Sequence, residues 1–280
     1  MEVVPVAFES LGVRSMATVV RSDLKVFIDP SAALGPTRYG LPPHKLELQA
    51  LAEAKKRIRE EARDSDILIV THYHYDHHDP GETFYKDKVV LAKDTGRDIN
   101  KSQQKRGGYF KEQLPGSCDL RYADGRSFEF KDLQIDFSPP VPHGPPGIRL
   151  GYVLMCRLQH EDDVVVYGSD VQGPVDEEAT EWIIEAKPRL LIMDGPPTYF
   201  LGYKFSAANM ERAKANMLRI IEETGCEVIL EHHLLRDLKH RERFKEVYET
   251  GKARSAAEYR GVEENLLEMR RKELWKGEEK

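Results

Sequence analysis

The ten residues THYHYDHHDP, Thr71 to Pro80, follow the apolar run ILIV (Ile67 to Val70) and carry four histidines and two aspartates. A buried strand does not end in so many ionisable groups without something to hold them, because buried polar groups must be paired and buried charges neutralised or ligated. On extended chain, residues i, i+2 and i+4 share a face. His72, His74 and Asp76 therefore point one way, Tyr73 and Tyr75 the other, and His77 breaks the phase. For Asp76 and His77 to serve the same site, the chain must turn just after His74. Two ligand pairs result, His72 with His74 and Asp76 with His77. Neutral imidazole with carboxylate suits zinc or a similar first-row dication. One ion does not need four ligands from six residues, whereas two adjacent ions do. A solvated polar loop is the bland alternative, and it does not account for the ordered spacing behind a buried strand.

Such a site draws further ligands from strand ends and loops elsewhere in the chain. His143 lies in the proline-rich SPPVPHGPPG. Asp170 ends DVVVYGSD, an apolar strand with no other reason to stop in a carboxylate. His232 ends CEVILEH, with His233 beside it on the opposite face. Asp194, closing RLLIMD before Gly195-Pro196, reads either as a strand-end cap or as an orienting residue. His78 and Asp79 read as support or as a helix start. His44, His160 and His240 read as surface residues. Cys118, Cys156 and Cys226 show no CxxC spacing and read as reduced structural thiols.

The remaining pattern alternates strands and helices. VVPVAFE, MATVVR and LKVFID read as a meander. Leu46, Leu48, Leu51, Ala52, Ile58 and Ala62 place an amphipathic helix over Lys45 to Arg63. A strand follows at 88–92, then a basic, partly helical segment from Asp98 to Gln113, then strands at Ser127–Phe130 and Leu133–Phe137. GYVLMCRL and DVVVYGSD restart the strands. Asp176 to Lys187 is a helix with acids in its first turn, RLLIMD a strand, and Ser206 caps a helix that Gly225 ends. From Asp237 the tail reads as helical and highly charged. The layout is two similar halves of mixed β/α.

The chain has 280 residues, 40% hydrophobic and 32% charged, with a net charge of -6. That excludes a general nucleic-acid or anionic-membrane binder, so attraction for an anion must be local. The segment Lys101 to Arg106, with Lys111, is a candidate for it, although a solvated helix face is the simpler reading. No apolar run reaches the roughly 18 residues of a membrane span. MEVVPVAFES lacks a basic start before an apolar core, so it reads as a strand rather than a signal peptide. A cytoplasmic protein is expected. Asparagine is scarce while Lys, Arg and Glu abound, as in thermophilic proteins.

HxHxDH at His72–His77, followed by a lone histidine, a strand-ending aspartate and a strand-ending histidine, resembles the metallo-β-lactamase-fold hydrolases. KVFIDP at 25–30, VVVYGSD and EVILEHHLLRD resemble further parts of that pattern, across about residues 1–240. The His232-to-Arg236 spacing resembles the tRNA 3′-processing branch and favours His232 over His233. The whole chain is most similar to an uncharacterised archaeal branch. The resemblance implies an α/β fold, a four-layer αβ/βα sandwich of two mixed sheets flanked by helices. It implies a hydrolase domain over 1–240 and a helical extension over 241–280 packed on it. It implies two divalent metal ions, zinc foremost, with manganese or ferrous iron as alternatives. His72, His74 and His143 would hold the first; Asp76, His77 and His232 the second; Asp170 would bridge them. A hydroxide between ions about 3.5–4 Å apart would be the nucleophile, with Asp76 orienting it and His233 as proton donor. The substrate expected is a small molecule or nucleotide, with a lean to phosphodiester or nucleic acid. A lactone, thioester or amide is the alternative, and a non-catalytic metal-stabilised binding protein the reading of another class. No membrane partner is expected, and the oligomeric state stays open.

Overall fold

In this computed structural model, which describes residues 1–278, thirteen of fifteen strands form two mixed sheets packed face to face. The first sheet runs β1 (Glu2–Phe8), β2 (Met16–Arg21), β3 (Lys25–Ile28), β4 (Ile67–Val70), β5 (Val89–Ala92) and β6 (Asp119–Tyr122), in that order. β1 to β3 pair antiparallel, as the meander requires, and β3 to β6 are parallel. The second sheet is built from β7 (Ser127–Phe130), β8 (Leu133–Phe137), β11 (Cys156–His160), β12 (Asp163–Ser169), β13 (Leu190–Asp194), β14 (Glu227–Glu231) and β15 (Ala253–Arg254). Here β12 to β15 are parallel. A two-stranded pair, β9 (Val141–Pro142) with β10 (Tyr152–Val153), brackets the proline-rich loop.

Helices cover both outer faces. α1 (Lys45–Arg63) and α2 (Lys101–Gln113) lie on the first sheet, and α3 (Glu177–Ala186) and α4 (Ala207–Thr224) on the second. The central strands are apolar on both faces, as parallel strands between two layers must be. In β4, Ile67 and Ile69 enter the core between the sheets, while Leu68 and Val70 meet Ala54, Ile58 and Ala62 of α1. β13 divides likewise: Leu190 and Ile192 face the other sheet, and Leu191 and Met193 pack with Ile183, Met217 and Ile220 of α3 and α4. This is the four-layer αβ/βα sandwich.

Capping follows the sequence where the side chains are local. Ser206 accepts from Asn209 N at 3.1 Å, and Gly225 closes α4 at φ +70°. α1 departs from its expected phase: Leu46, Leu48 and Ala52 are exposed, and Glu47 is buried. His44 and His240, expected at the surface, are also buried. His44 is the N-cap of α1, donating its N–H to Glu47 at 2.8 Å. The GYVLMCRL run is two strands, since Leu154 N leaves the ladder to bond Thr71 O. The tail after 240 is not purely helical, because β15 joins the second sheet; the last two residues of the 241–280 segment lie outside the described residues. Among the described residues no helix is long and apolar enough to cross a membrane.

Candidate metal centre

The chemistry collects at the C-terminal ends of the parallel strands. β3 ends in Asp29, β4 in Thr71 and His72, β12 in Asp170, β13 in Asp194 and β14 in His232. In open α/β sheets this is the edge where side chains from different strands converge.

The chain turns directly after His74, with the N–H groups of His77 and His78 bonded to the His74 carbonyl. Tyr73 faces away and is buried against Phe110 and Tyr85. Tyr75 does not follow it: it is half exposed and lines the cleft beside His74 and Asp76, because the turn ends the strand alternation before it. His232 and His233 also depart from strand phase. His232 sits at φ +54°, and this kink brings both rings to the same site, 4.7 Å apart, instead of to opposite faces.

Four groups of candidate ligand atoms result among the described residues, each within 4.8 Å: His72, His74, His143 and Asp170; Asp76, His77 and His232; Asp29, His72 and His77; and Asp170, His232 and His233, of which the first two match the expected ligand sets. Asp170 Oδ2 joins them. It lies 3.3 Å from His77 Nε2, 3.3 Å from His143 Nε2, 3.4 Å from His232 Nε2 and 3.7 Å from His72 Nε2. His74 Nδ1 stands 3.1 Å from His72 Nε2 and 3.2 Å from His143 Nε2.

The donors suit a divalent cation. His77 Nε2 and Asp170 Oδ1 are buried with no hydrogen-bond partner among the described residues, and unpaired buried polar atoms are costly. Burial pulls the His72 imidazole well below its ordinary range, and burial with the neighbouring His143 brings His74 to about 3, so both are neutral, as ligation requires. Burial opposes charge on His77 as well, but Asp170 and Asp29 together raise it to about 10. A cation beside it would have to displace that proton. The second group carries a competitor: Arg236 Nη2 approaches His232 Nε2 at 3.0 Å.

Behind the imidazoles stand carboxylates on their other ring nitrogen, the arrangement that orients histidines when they ligate a metal. Asp29 Oδ2 meets His77 Nδ1 at 2.8 Å and also accepts from Thr71 Oγ1 and Tyr167 OH, while its Oδ1 accepts from Thr71 N. Thr71 Oγ1 in turn lies 3.1 Å from His72 Nδ1. Glu9 holds His232 Nδ1 at 2.7 Å and Arg236 Nε at 2.6 Å. Asp194 is both cap and orienter, accepting from Gln172 N and contacting His233 Nδ1, each at 2.7 Å. Burial and the charge of Asp170 push Asp194 well above the usual carboxylate range. His78 bonds the His74 carbonyl, and Asp79 pairs with Lys55 at 2.9 Å. Of these, Asp29 ends an apolar run as Asp170 does, so the same signal marks it. Glu9 offers only its place behind β1.

A cleft of about 700 Å³ opens over the first group, walled by His74, Tyr75, His143, Asp170 and His233 and rimmed by Arg14, Arg38, Arg106 and Arg236. Of the basic segment only Arg106 reaches it; Lys101, Lys105 and Lys111 are exposed elsewhere. Curated relatives span this chain from end to end. A UPF0282 protein of Methanopyrus kandleri is 46% identical over 295 residues, covering 100% of both chains, and one of Metallosphaera sedula is 42% identical, covering 98% of this chain and 93% of its own. The chain belongs to the UPF0282 family. These relatives come from thermophilic archaea. No family model matches the chain. Among solved structures, Tm1679, titled a metal-dependent hydrolase of the beta-lactamase superfamily, is similar with a TM-score of 0.56 over 90% of this chain and 94% of its own. The metallo-beta-lactamase fold protein YhfI of Bacillus subtilis reaches 0.50 over 88% and 92%. Both are 14% identical, and the shared feature is the metallo-β-lactamase fold.

Proposed function

We propose that this UPF0282 protein is a metal-dependent hydrolase with two divalent ions, zinc foremost, acting on a phosphate-bearing substrate. The observation that carries the reading is the convergence of imidazole nitrogens from His72, His77, His143 and His232 on one oxygen of Asp170. Ions held there supply an acidified water as nucleophile near neutral pH and positive charge for the departing oxygen. His72, His74 and His143 would hold one ion, Asp76, His77 and His232 the other, and Asp170 both. Asp29 and Glu9 fix the rings of His77 and His232 through Nδ1. His233, in contact with Asp194 through Nδ1 on the cleft wall, would hold a proton for the leaving group on Nε2, against burial and the nearby Arg236, which lower its hold on that proton. Asp76, 3.5 Å from His232, lines the cleft and orients the attacking water.

The lean to phosphate rests on the arginine-rich rim of the cleft. Arg236 is engaged by Glu9, so the support falls to other arginines. Elemental analysis with an absorption spectrum distinguishes zinc or manganese from iron. Assays on generic phosphodiesters with zinc or manganese added test the substrate class. Turnover of a lactone or thioester with none of any phosphodiester would overturn the phosphate reading and leave the hydrolase.

A further inference from the structure

Four arginines border the cleft, and their partners divide them. Arg14 is neutralised by Glu268 through two contacts of 2.6 Å, and Arg236 by Glu9 at 2.6 Å. Arg38 and Arg106 form no ion pair among the described residues. Arg106 bonds Ser102 of its own helix at 2.7 Å and lies 5.5 Å from the centre of the Tyr75 ring. Arg38 is held far more firmly. Its guanidinium carbon is 4.8 Å from the ring centre of the neighbouring Tyr39 and 4.6 Å from that of Tyr199, brought in from a distant segment, so two rings flank it. One terminal nitrogen donates to the Arg236 carbonyl at 2.7 Å.

The backbone is bent to make this clamp. Arg38 and Leu41 exchange both backbone hydrogen bonds, and the two residues between them, Tyr39 and Gly40, sit at φ +56° and +76°: a type I′ turn. A tyrosine in the left-handed region is strained, and the surroundings must hold it there. The hydroxyl of Tyr39 does so by donating to the Met269 carbonyl at 3.0 Å. A solvated surface arginine needs none of this. Stacking on aromatic faces leaves the in-plane donors of a guanidinium available for an oxyanion, and no carboxylate among the described residues takes them.

We propose that Arg38, clamped between Tyr39 and Tyr199, binds a phosphate oxygen of the substrate and thereby selects phosphate esters over neutral esters at the same centre. This rests on the hydrolase reading and adds the residue that sets its specificity. Arg106, from another element of the same rim, is a second and weaker contact.

The test uses zinc-loaded protein, with bis(p-nitrophenyl) phosphate and p-nitrophenyl acetate as substrates and calorimetric titration with orthophosphate. In Arg38→Gln, the ratio of kcat/KM for the phosphodiester to that for the acetate ester falls about 10- to 100-fold, mainly through KM, and orthophosphate affinity falls in parallel, as loss of a hydrogen bond between charged groups predicts. Arg38→Lys lies between. A ratio and an affinity both within about 2-fold of the parent overturn the proposal, even when turnover confirms the hydrolase. Orthophosphate binding that is lost in Arg38→Gln, in a parent that hydrolyses neither these esters nor a lactone or thioester, supports the anion site and overturns the hydrolase reading. A parent that neither binds orthophosphate nor hydrolyses the phosphodiester overturns the proposal. Should Arg38→Gln fail to fold, Tyr199→Leu, which removes one wall of the clamp, is read by the same titration; unchanged affinity there overturns the proposal.

Discussion

Asp29 stands behind the candidate metal centre and ties Thr71, Tyr167 and His77 together. Fully buried, it receives the Thr71 N–H and hydroxyl, the Tyr167 hydroxyl and His77 Nδ1, all within 2.9 Å. It sets the direction of one imidazole and, through Thr71, of His72. Asp29→Asn keeps the shape and removes the charge. Because orienting partners of metal-bound histidines are worth about 10- to 100-fold in affinity, this variant is expected to bind zinc that much more weakly while remaining folded. Competition against a chromogenic chelator measures it, and an unchanged zinc affinity would show that Asp29 serves only the fold. Asp170 separates catalysis from scaffolding at the same scale. Asp170→Ala is expected to stay folded and lose turnover; loss of folding, with no activity ever found in the parent, would instead favour a structural metal site.

At the scale of elements, α2 shows how packing overrules propensity. It carries two adjacent glycines, Gly107 and Gly108, where a helix interior favours alanine by about 1 kcal/mol. A methyl group on Gly107 would lie 2.7 Å from Thr95 Cγ2 and 2.7 Å from the Tyr73 ring. That ring cannot retreat, since it is buried and its hydroxyl is bonded to the Lys93 carbonyl. At Gly108 nothing lies within 4 Å. Gly108→Ala should therefore stabilise the protein by about 0.5–1 kcal/mol, whereas Gly107→Ala should destabilise it by about 1–3 kcal/mol through overpacking and disturb the His72–His74 segment on either side of Tyr73. Chemical denaturation of the two variants checks the opposite signs; equal shifts would refute the close packing of α2 on Tyr73. Elements of this kind also mark what can be read from sequence. β4, β12 and β14 are legible because each is an apolar run that stops in an ionisable residue, and such an ending requires a reason. β6 is not: DLRY lies at a sheet edge, half exposed, with no apolar alternation to announce it. The first turn of α1 misleads because Glu47 is buried by a partner 224 residues away. Glu9 and Arg38 are hidden for the same reason, since their meaning lies in Arg236, His232 and Tyr199, which only the fold brings near.

The whole molecule is tied together from its far end. Arg271, fully buried, grips Glu47 through two contacts of 2.7 Å and donates to the carbonyls of Gly35 and Leu41 at 2.9 and 3.1 Å. Glu268 and Met269 hold Arg14 and Tyr39 from the same stretch. The tail thus fixes the loop before α1 at Gly35 and at the first turn of the helix, the loop that presents Arg38 to the cleft, although its described residues supply none of the candidate ligands. Arg271→Ala removes the cation and leaves Glu47 buried with its charge uncompensated, a change that costs about 3–5 kcal/mol. For a chain of this size each kcal/mol corresponds to about 2–4 °C in Tm, so the variant should melt at least about 6 °C below the parent. Adding Glu47→Leu should restore part of the loss, because the pair's cost lies in the stranded charge rather than in the missing bond. Zinc content of the folded protein should be unchanged in both variants, since Arg271 contacts none of the candidate ligands. Scanning calorimetry with metal analysis checks both. A double variant less stable than Arg271→Ala alone would mean that Glu47 is charged against some other partner, and the tail would then be held by its remaining contacts rather than by this ion pair.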